Sequence, residues 1–273
     1  MRPDRRTLND GHSIPAIGFG TNQLGEEAVA SALRAGYRML DTAWVYGNEE
    51  QVGGAIRRSG VPRDELTIVT KLPGRAHGIA AARASLQESL LRLGLDHVDL
   101  YLIHWPMPRI GRFVDAWRGL IELREAGLAR SIGVANFTAA HLFRVVAETG
   151  VVPAVDQVEL HPHFVQEEHR RAAAELGVQT MSWSPLGRRS GLLGDETIVA
   201  IAAEHGVTPA QVVLRWHIEL GSVPIPRSAD PARQRDNLDV FGFALSAEEV
   251  SRISALDSGE RLWGGDPDTK EEF

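Results

Sequence analysis

The feature that most constrains the fold of this chain is a regular alternation between short apolar, β-branched runs and longer amphipathic stretches. Apolar runs that are continuous, without polar alternation, are typical of parallel strands covered on both faces. Eight runs of this kind predict strands at residues 14–20, 37–41, 66–71, 98–104, 129–136, 154–160, 178–184 and 222–227. Because parallel strands require helical crossovers, the pattern predicts an α/β fold, the (β/α)8 TIM barrel.

The stretches between the predicted strands have helical period, and most of them end at glycine, the residue expected just after a helix. Helices are predicted within residues 26–36, 49–60, 78–94, 113–127, 138–150 and 167–177, with two more, within 196–206 and 208–221, after the seventh strand. Before the first strand, the Asp10-Gly11 turn predicts a β-hairpin that caps the bottom of the barrel. The alternative is an open doubly wound sheet, but "GFGTNQ" (18–23) lacks the third glycine of its dinucleotide fingerprint.

Length and composition limit the class of protein. A single α/β barrel commonly occupies about 200–250 residues, so the 273 residues predict one domain, 1–273, ending in a polar loop or tail, 258–273. The formal net charge of −7 argues against a nucleic-acid partner. The absence of cysteine excludes disulfides and Cys-ligated zinc, and no apolar run approaches the length of a membrane span. We therefore expect a cytoplasmic protein with no membrane partner.

Polar side chains stand at the C-terminal ends of the predicted strands, where barrel enzymes build their active sites. These residues are Asp41, Lys71, His104, Asn136, Gln157, Trp183 and Arg227. The first three follow neighbouring strands and are therefore expected to meet, and Tyr46, five residues past Asp41, can fold back over them.

The four side chains suggest a mechanism for proton transfer. A free phenol has a pKa near 10, too high for efficient proton donation at neutral pH. The ammonium of Lys71 is expected to lower the pKa of Tyr46, while Asp41 holds and balances the lysine. The sequence therefore predicts Tyr46 as a proton donor.

An ordered series of motifs extends over roughly residues 7–258: "GFGTNQ", "DTAWVYGNEE", "IVTK", "LYLIHWP", "SIGVANF", "DQVELHP", "SWSPLG" and "IPRSADPARQRDN". In their order and spacing these motifs closely resemble the aldo-keto reductase family, in particular its small bacterial members. The resemblance implies a catalytic tetrad of Asp41, Tyr46, Lys71 and His104. Tyr46 would protonate a carbonyl oxygen as hydride arrives from a reduced nicotinamide, and His104 would orient the carbonyl.

The resemblance also implies NADPH/NADP+ as the cofactor, bound across the barrel mouth without a Rossmann domain. Asp41 is assigned to the cofactor site, the nicotinamide to Asn136, Gln157 and Trp183, and the pyrophosphate to Ser184 and Leu186. The 2′-phosphate is assigned to Arg227, Ser228 and Arg233, and the adenine to Asp236 and Asn237. Two guanidinium groups favour NADPH over NADH, because guanidinium binds phosphate through paired hydrogen bonds.

The substrate is expected to contact His104, Trp44, Trp105 and Asn22. Short connections after His104 and after the seventh strand predict an open site for small hydrophilic carbonyls, such as keto-sugars, keto acids or methylglyoxal. Relatives of this size suggest a monomer.

The same residues are compatible with other functions. The pair His161 and His163 could bind zinc, but matching strand ends offer no adequate further ligands, so no metal is expected. A Schiff-base aldolase could use Lys71 as a nucleophile. A regulatory protein could bind NADPH without turnover, although it would not require an activated phenol.

Overall fold

The computed structural model describes residues 4–188, 190–263 and 265–272. It begins with an antiparallel hairpin of β1 (Arg5–Thr7) and β2 (Ser13–Pro15). Two apolar residues of this hairpin, Leu8 and Ile14, belong to the cluster of buried side chains inside the barrel. The predicted hairpin cap is therefore confirmed.

Eight parallel strands form the barrel, and each pairs with the next one in the chain. They are β3 (Phe19–Gly20), β4 (Met39–Asp41), β5 (Thr67–Leu72), β6 (Val98–Ile103), β7 (Ala129–Ala135), β8 (Val155–Glu159), β9 (Gln179–Trp183) and β10 (Val223–Ile225). The backbone N–H groups of Gly18 and Gly20 donate to the carbonyls of Pro224 and Pro226, both at 3.0 Å. These bonds join the first and last strands, so the predicted (β/α)8 barrel is confirmed.

The predicted first strand, residues 14–20, is wrong as a single element. Its beginning pairs within the hairpin and only Phe19–Gly20 pairs with β4, because the chain bends between them. After the bend, Gly18 passes so close to the last strand that an added Cβ would lie 2.6 Å from Ile225 Cδ1. An apolar run does not show such a bend, because both parts of this run are buried.

Helices cover the outside of the barrel. They are α1 (Glu26–Ala35), α2 (Glu49–Ser59), α3 (Ile79–Leu93), α4 (Phe113–Glu125), α5 (Ala139–Thr149), α6 (Glu167–Glu175), α7 (Glu196–His205), α8 (Pro209–Glu219), α9 (Pro231–Leu238) and α10 (Ala247–Ser254). The two predicted helices after the seventh barrel strand are confirmed as α7 and α8. Helix α8 starts at a capping box between Thr208 and Gln211, which satisfies N–H groups that the helix leaves unpaired. In the described part of the chain, no single helix is long and apolar enough to cross a membrane. Helices α7 and α8 have the required length and apolar character only when they are taken together, and the chain bends by 92° between them.

Candidate active site

A buried ion pair lies at the C-terminal ends of β4 and β5. Lys71 Nζ is 2.8 Å from both carboxylate oxygens of Asp41 and donates to the carbonyl of Thr42 at 2.9 Å. Asp41 also accepts a hydrogen bond from Gln157 Nε2 at 2.8 Å. Burying two charges is tolerable only when each is paired and hydrogen-bonded, and this arrangement meets both conditions.

Tyr46 lies above this ion pair. It ends a single 3-10 turn, Trp44–Tyr46, which follows β4 and stops at Gly47 in the left-handed conformation (φ 65°). Lys71 Nζ is 5.2 Å from the centroid of the Tyr46 ring. The ring of His104 packs edge to face against the ring of Tyr46, with 6.0 Å between the ring centroids and 79° between the ring planes. The structure therefore brings the predicted tetrad together.

The electrostatics of the pair differ partly from the sequence-based expectation. Burial raises the pKa of Tyr46 by more than the charge of Lys71 lowers it, and Asp41 adds to the increase. The expected lowering is correct for the contribution of Lys71 and wrong for the net pKa, because the degree of desolvation cannot be read from the sequence. Burial lowers the pKa of Lys71, but Asp41 and Tyr46 raise it by more. Near neutral pH the phenol is therefore protonated and the amine is charged.

Lys71 is poorly suited to be a Schiff-base nucleophile. Its side chain is 1% exposed, its ammonium is held by three oxygens, and its net pKa is raised. An amine nucleophile needs a free lone pair and a lowered pKa. These features count against the aldolase alternative.

His104 follows β6 and is held from three sides. Its backbone N–H donates to the carbonyl of Leu72 at 3.1 Å, and its own carbonyl accepts from Asn136 Nδ2 at 2.9 Å. Its ring Nδ1 is 2.8 Å from Glu272 Oε1, in the C-terminal segment. The strand ends thus fix the backbone of His104, while a distant part of the chain contacts its ring.

A cavity of about 400 Å³ opens at this end of the barrel. The predicted site residues that line it are Asn22, Asp41, Tyr46, His104, Trp105, Asn136, Gln157, Trp183, Ser184, Leu186 and Arg227. Lys71 lies behind Tyr46, outside the lining. The predicted residues at six strand ends therefore share one cavity.

Part of the cavity lining carries groups suited to a nicotinamide. Trp183 Nε1 donates to Asn136 Oδ1 at 2.8 Å, which fixes the indole against the amide. Asn136 (φ 60°) and the neighbouring Ser184 (φ 51°) are both left-handed, a strained conformation that is frequent at functional sites. Each amide has capacity beyond the bonds described: Asn136 has a second N–H, and Gln157 has a carbonyl oxygen. An aromatic face beside two amides is a donor set that fits a flat carboxamide-bearing ring.

Another part of the cavity lining is cationic and is formed by loops. Arg227 Nη1 donates to the carbonyl of Asn22 at 2.7 Å, which connects β10 to the loop after β3. The guanidinium of Arg188 is 4.2 Å from the centroid of the Trp263 ring, and both residues line the cavity. Two guanidinium groups at one wall fit a phosphate-bearing ligand.

Some predicted site residues lie elsewhere. Trp44, which was assigned to the substrate pocket, is not among the described residues that line the cavity. The 3-10 turn directs the Trp44 side chain towards α3. Its indole N–H donates to the carboxylate of Glu88 at 2.9 Å, and the guanidinium carbon of Arg75 lies 3.9 Å from the centroid of the indole ring. The assigned adenosine contacts also lie outside the lining: Ser228, Arg233, Asp236 and Asn237, on α9 and the loop before it.

Among the described residues, the sequence-based search missed three charged or aromatic residues of the site: Arg188, Trp263 and Glu272. Trp263 had a usable signal, because it is the only tryptophan in the polar, glycine-containing segment 258–273. Glu272 had none, since one more carboxylate in an acidic segment is indistinguishable from a solvated charge. The segment contains no helix or strand in its described residues, yet it forms part of the site.

His161 and His163 do not form a metal site with their neighbours. His161 Nε2 is 3.2 Å from the buried carboxylate of Glu159, which also accepts the N–H of Leu262 at 2.7 Å. Across the described residues, no three His, Asp or Glu side chains are grouped as ligands for a metal ion. Glu159 instead anchors the start of the C-terminal segment.

Known proteins resemble this chain in sequence and in fold. The Aldo/keto reductase family model matches residues 16–258. The 2,5-diketo-D-gluconic acid reductase B of Corynebacterium sp. (strain SHS752001) is 58% identical over 271 residues, 98% of each chain. An aldo/keto reductase structure from Brucella melitensis has a TM-score of 0.90 at 45% identity, covering 93% of this chain and 100% of that one. A Bombyx mori aldo-keto reductase, solved in complex with NADP, has a TM-score of 0.90 at 35% identity, covering 96% and 95%. The resemblance seen in the motifs is confirmed: this chain belongs to the aldo-keto reductase family of oxidoreductases.

Proposed function

We propose that the protein reduces small aldehydes and ketones to alcohols with NADPH, and that Tyr46 is the general acid. The observation that carries this proposal is the buried Lys71–Asp41 pair, with Lys71 Nζ 5.2 Å from the Tyr46 ring at the wall of a cavity. A structural ion pair would not need a phenol beside it. A proton donor facing a carbonyl does need a charged group that stabilises the phenolate it becomes.

Each tetrad residue has a distinct role in the proposed reaction. NADPH, when bound, supplies the hydride. Tyr46 gives its proton to the carbonyl oxygen, and the ammonium of Lys71 stabilises the phenolate that remains. Asp41 keeps Lys71 charged and in place. His104 donates a hydrogen bond to the carbonyl oxygen, which orients the substrate and stabilises developing negative charge.

The remaining assigned residues would hold the cofactor. Asp41, Asn136 and Gln157 would border the carboxamide and Trp183 would stack on the ring, while Ser184 and Leu186 would approach the pyrophosphate. Arg227, Ser228 and Arg233 would bind the 2′-phosphate, with Asp236 and Asn237 at the adenine. The Bombyx mori relative solved with NADP supports this choice of cofactor.

The substrate is proposed to be a small, hydrophilic carbonyl compound such as a keto-sugar, a keto acid or methylglyoxal. The relative with 58% identity is named as a reductase of 2,5-diketo-D-gluconic acid, a keto-sugar acid. Asn22, His104 and Trp105 line the cavity and give the substrate side a mixture of polar and aromatic surface. Because one chain supplies the whole constellation, we propose a monomer, acting in the cytoplasm.

The test is turnover on a panel of carbonyls with NADPH and with NADH. The panel contains 2,5-diketo-D-gluconate, methylglyoxal, a simple keto acid and a steroid ketone. We expect reduction of the small compounds and a clear preference for NADPH. Exclusive reduction of the steroid would contradict the substrate class. Tight NADPH binding without any turnover would contradict the enzymatic role and favour a sensor.

A further inference from the structure

Glu272, in the C-terminal segment, contacts a proposed catalytic side chain. Its Oε1 is 2.8 Å from His104 Nδ1, although 168 positions separate the two residues (272 − 104). Glu272 is not among the residues that line the cavity, so it is placed to act through His104. We propose that Glu272 is a positioning residue that favours the doubly protonated, hydrogen-bond-donating form of His104.

Glu272 is held in place by contacts other than the one to His104. Its second carboxylate oxygen accepts the backbone N–H of Gly74 at 3.2 Å, and its own N–H is 3.0 Å from Met107 Sδ. An added Cβ at Gly74 would lie 2.5 Å from the carbonyl oxygen of Glu272, so a side chain at position 74 would displace the segment. The loops after β5 and β6 therefore pack closely against Glu272 and hold it in place.

The number of hydrogens on the imidazole decides which of its two nitrogens can donate a hydrogen bond. An ionised carboxylate only accepts, so it requires a hydrogen on the Nδ1 that it faces. With Nδ1 occupied, Nε2 is the nitrogen left for a carbonyl substrate, and donation from it requires a second hydrogen. Both requirements are met together only by the doubly protonated ring.

The charges around His104 favour this form. Lys71 and Asp41 lie behind Tyr46 as a neutralised pair, which leaves Glu272 as the anion in direct contact with the imidazole. Burial raises the pKa of Glu272, but its contacts with His104, the backbone N–H of Gly74 and His77 together lower it by more, so the net pKa lies below its ordinary value and the carboxylate is ionised.

One further histidine faces Glu272. Burial lowers the pKa of His77 to about 4, although Glu272 works in the opposite direction, and Arg112 lowers it further. His77 is therefore neutral near pH 7 and brings no positive charge next to Glu272. The contact that bears on the proposal is therefore the one between Glu272 Oε1 and His104 Nδ1.

The proposal rests on the proposed function for its catalytic meaning, but its first test does not require turnover. We would label histidine with ¹⁵N, assign the signals of His104 by their loss in His104→Gln, and measure the doubly protonated fraction at one near-neutral pH. In Glu272→Gln we expect the ratio of doubly to singly protonated His104 to fall about 10-fold or more, since a contacting opposite charge is lost. The matched control is Glu271→Gln, because Glu271 accepts from the backbone N–H of Arg109 at 2.8 Å, away from the imidazole.

Kinetics provide the second measurement. We expect Glu272→Gln to lower kcat for carbonyl reduction about 10-fold, with the Kd of NADPH unchanged and with Glu271→Gln like wild type. Glu272→Asp, which keeps the charge on a shorter side chain, should recover part of both losses. Equal protonated fractions in wild type and Glu272→Gln would overturn the proposal, as would an equal fall in Glu271→Gln or no recovery in Glu272→Asp. Absence of carbonyl reduction by wild type would instead count against the proposed function, and the ¹⁵N measurement would still decide the role of Glu272.

Discussion

At the strand end of the active-site cavity, Lys71 and Asp41 are 1% and 4% exposed, whereas at the loop end Arg188 and Arg227 lie at the surface. The buried charges are satisfied by each other and by neighbouring polar groups within 2.9 Å. The exposed charges are held by a carbonyl, at Arg227, or by the face of Trp263, at Arg188.

This difference separates two tasks within one cavity. A charge that is buried and held rigidly interacts strongly with its neighbours, because little water screens it, and it can change the pKa of a nearby phenol. A charge on a solvated loop changes little around it, but it can accommodate and release a phosphate-bearing ligand. We therefore expect changes at the strand end to affect chemistry and folding strongly, and changes at the loop end to affect binding more moderately.

Replacing Tyr46 with Phe should have the largest effect. Loss of the proton donor is expected to reduce kcat by about 10²–10⁴-fold, while the affinity for NADPH, measured by fluorescence titration, stays the same. Tyr37→Phe is the control, since the Tyr37 hydroxyl is buried and has no hydrogen-bond partner among the described residues. Undiminished turnover in Tyr46→Phe would eliminate this residue as the acid and remove the distinction between the two ends.

Lys71→Met tests whether the strand end depends on paired burial. The change leaves the carboxylate of Asp41 buried without its cation, which is expected to lower the free energy of unfolding by about 3–5 kcal/mol. Chemical denaturation measures this loss, and the double change Asp41→Asn with Lys71→Met should recover stability without activity. Arg34→Met, which breaks the exposed pair with Glu27 on α1, should cost less than about 1 kcal/mol. Similar losses in the two single variants would show that burial of the pair is unimportant.

Arg227→Ala tests the loop end. Loss of a charge-assisted contact to phosphate is expected to raise the KM for NADPH about 10-fold, with the KM for NADH and the kcat nearly unchanged. The control is Arg235→Ala, an exposed arginine on α9. Equal weakening of NADPH and NADH would mean that Arg227 supports the loop and does not recognise the 2′-phosphate.

His217→Gln tests the support beneath the loop end, with the smallest expected effect. His217 on α8 is fully buried, its Nε2 lies 3.1 Å from the carbonyl of Pro185 at the cavity wall, and burial lowers its pKa to about 3. The unfolded chain takes up a proton at this histidine below about pH 6.5 and the folded protein does not, so stability falls as pH decreases from about 6.5 to 3. In His217→Gln, the loss of unfolding free energy per pH unit should be smaller by about 1.4 kcal/mol. The measurement is the free energy of unfolding at several pH values between 6 and 4.5. An identical slope would show that His217 takes up its proton in the folded state as well.

Most of the strand end could be predicted from the sequence. Asp41, Lys71 and His104 end apolar runs, and neighbouring parallel strands must bring their ends together. The contact of Trp44 with α3 could not be predicted, because the direction of a side chain on a 3-10 turn depends on the local backbone, which sequence spacing does not show. Glu272 was missed because its partner is set by where the C-terminal segment docks, which depends on many weak contacts.

The sequence by itself determined the alternation of strands and helices, the barrel that follows from it, and the residues at the strand ends. It could do so because hydrophobic period and strand ends are local properties of the chain. Only the tertiary structure decided the net pKa of Tyr46 and the docking of Glu272 on His104. Both depend on how completely each group is removed from water and on which distant groups then surround it.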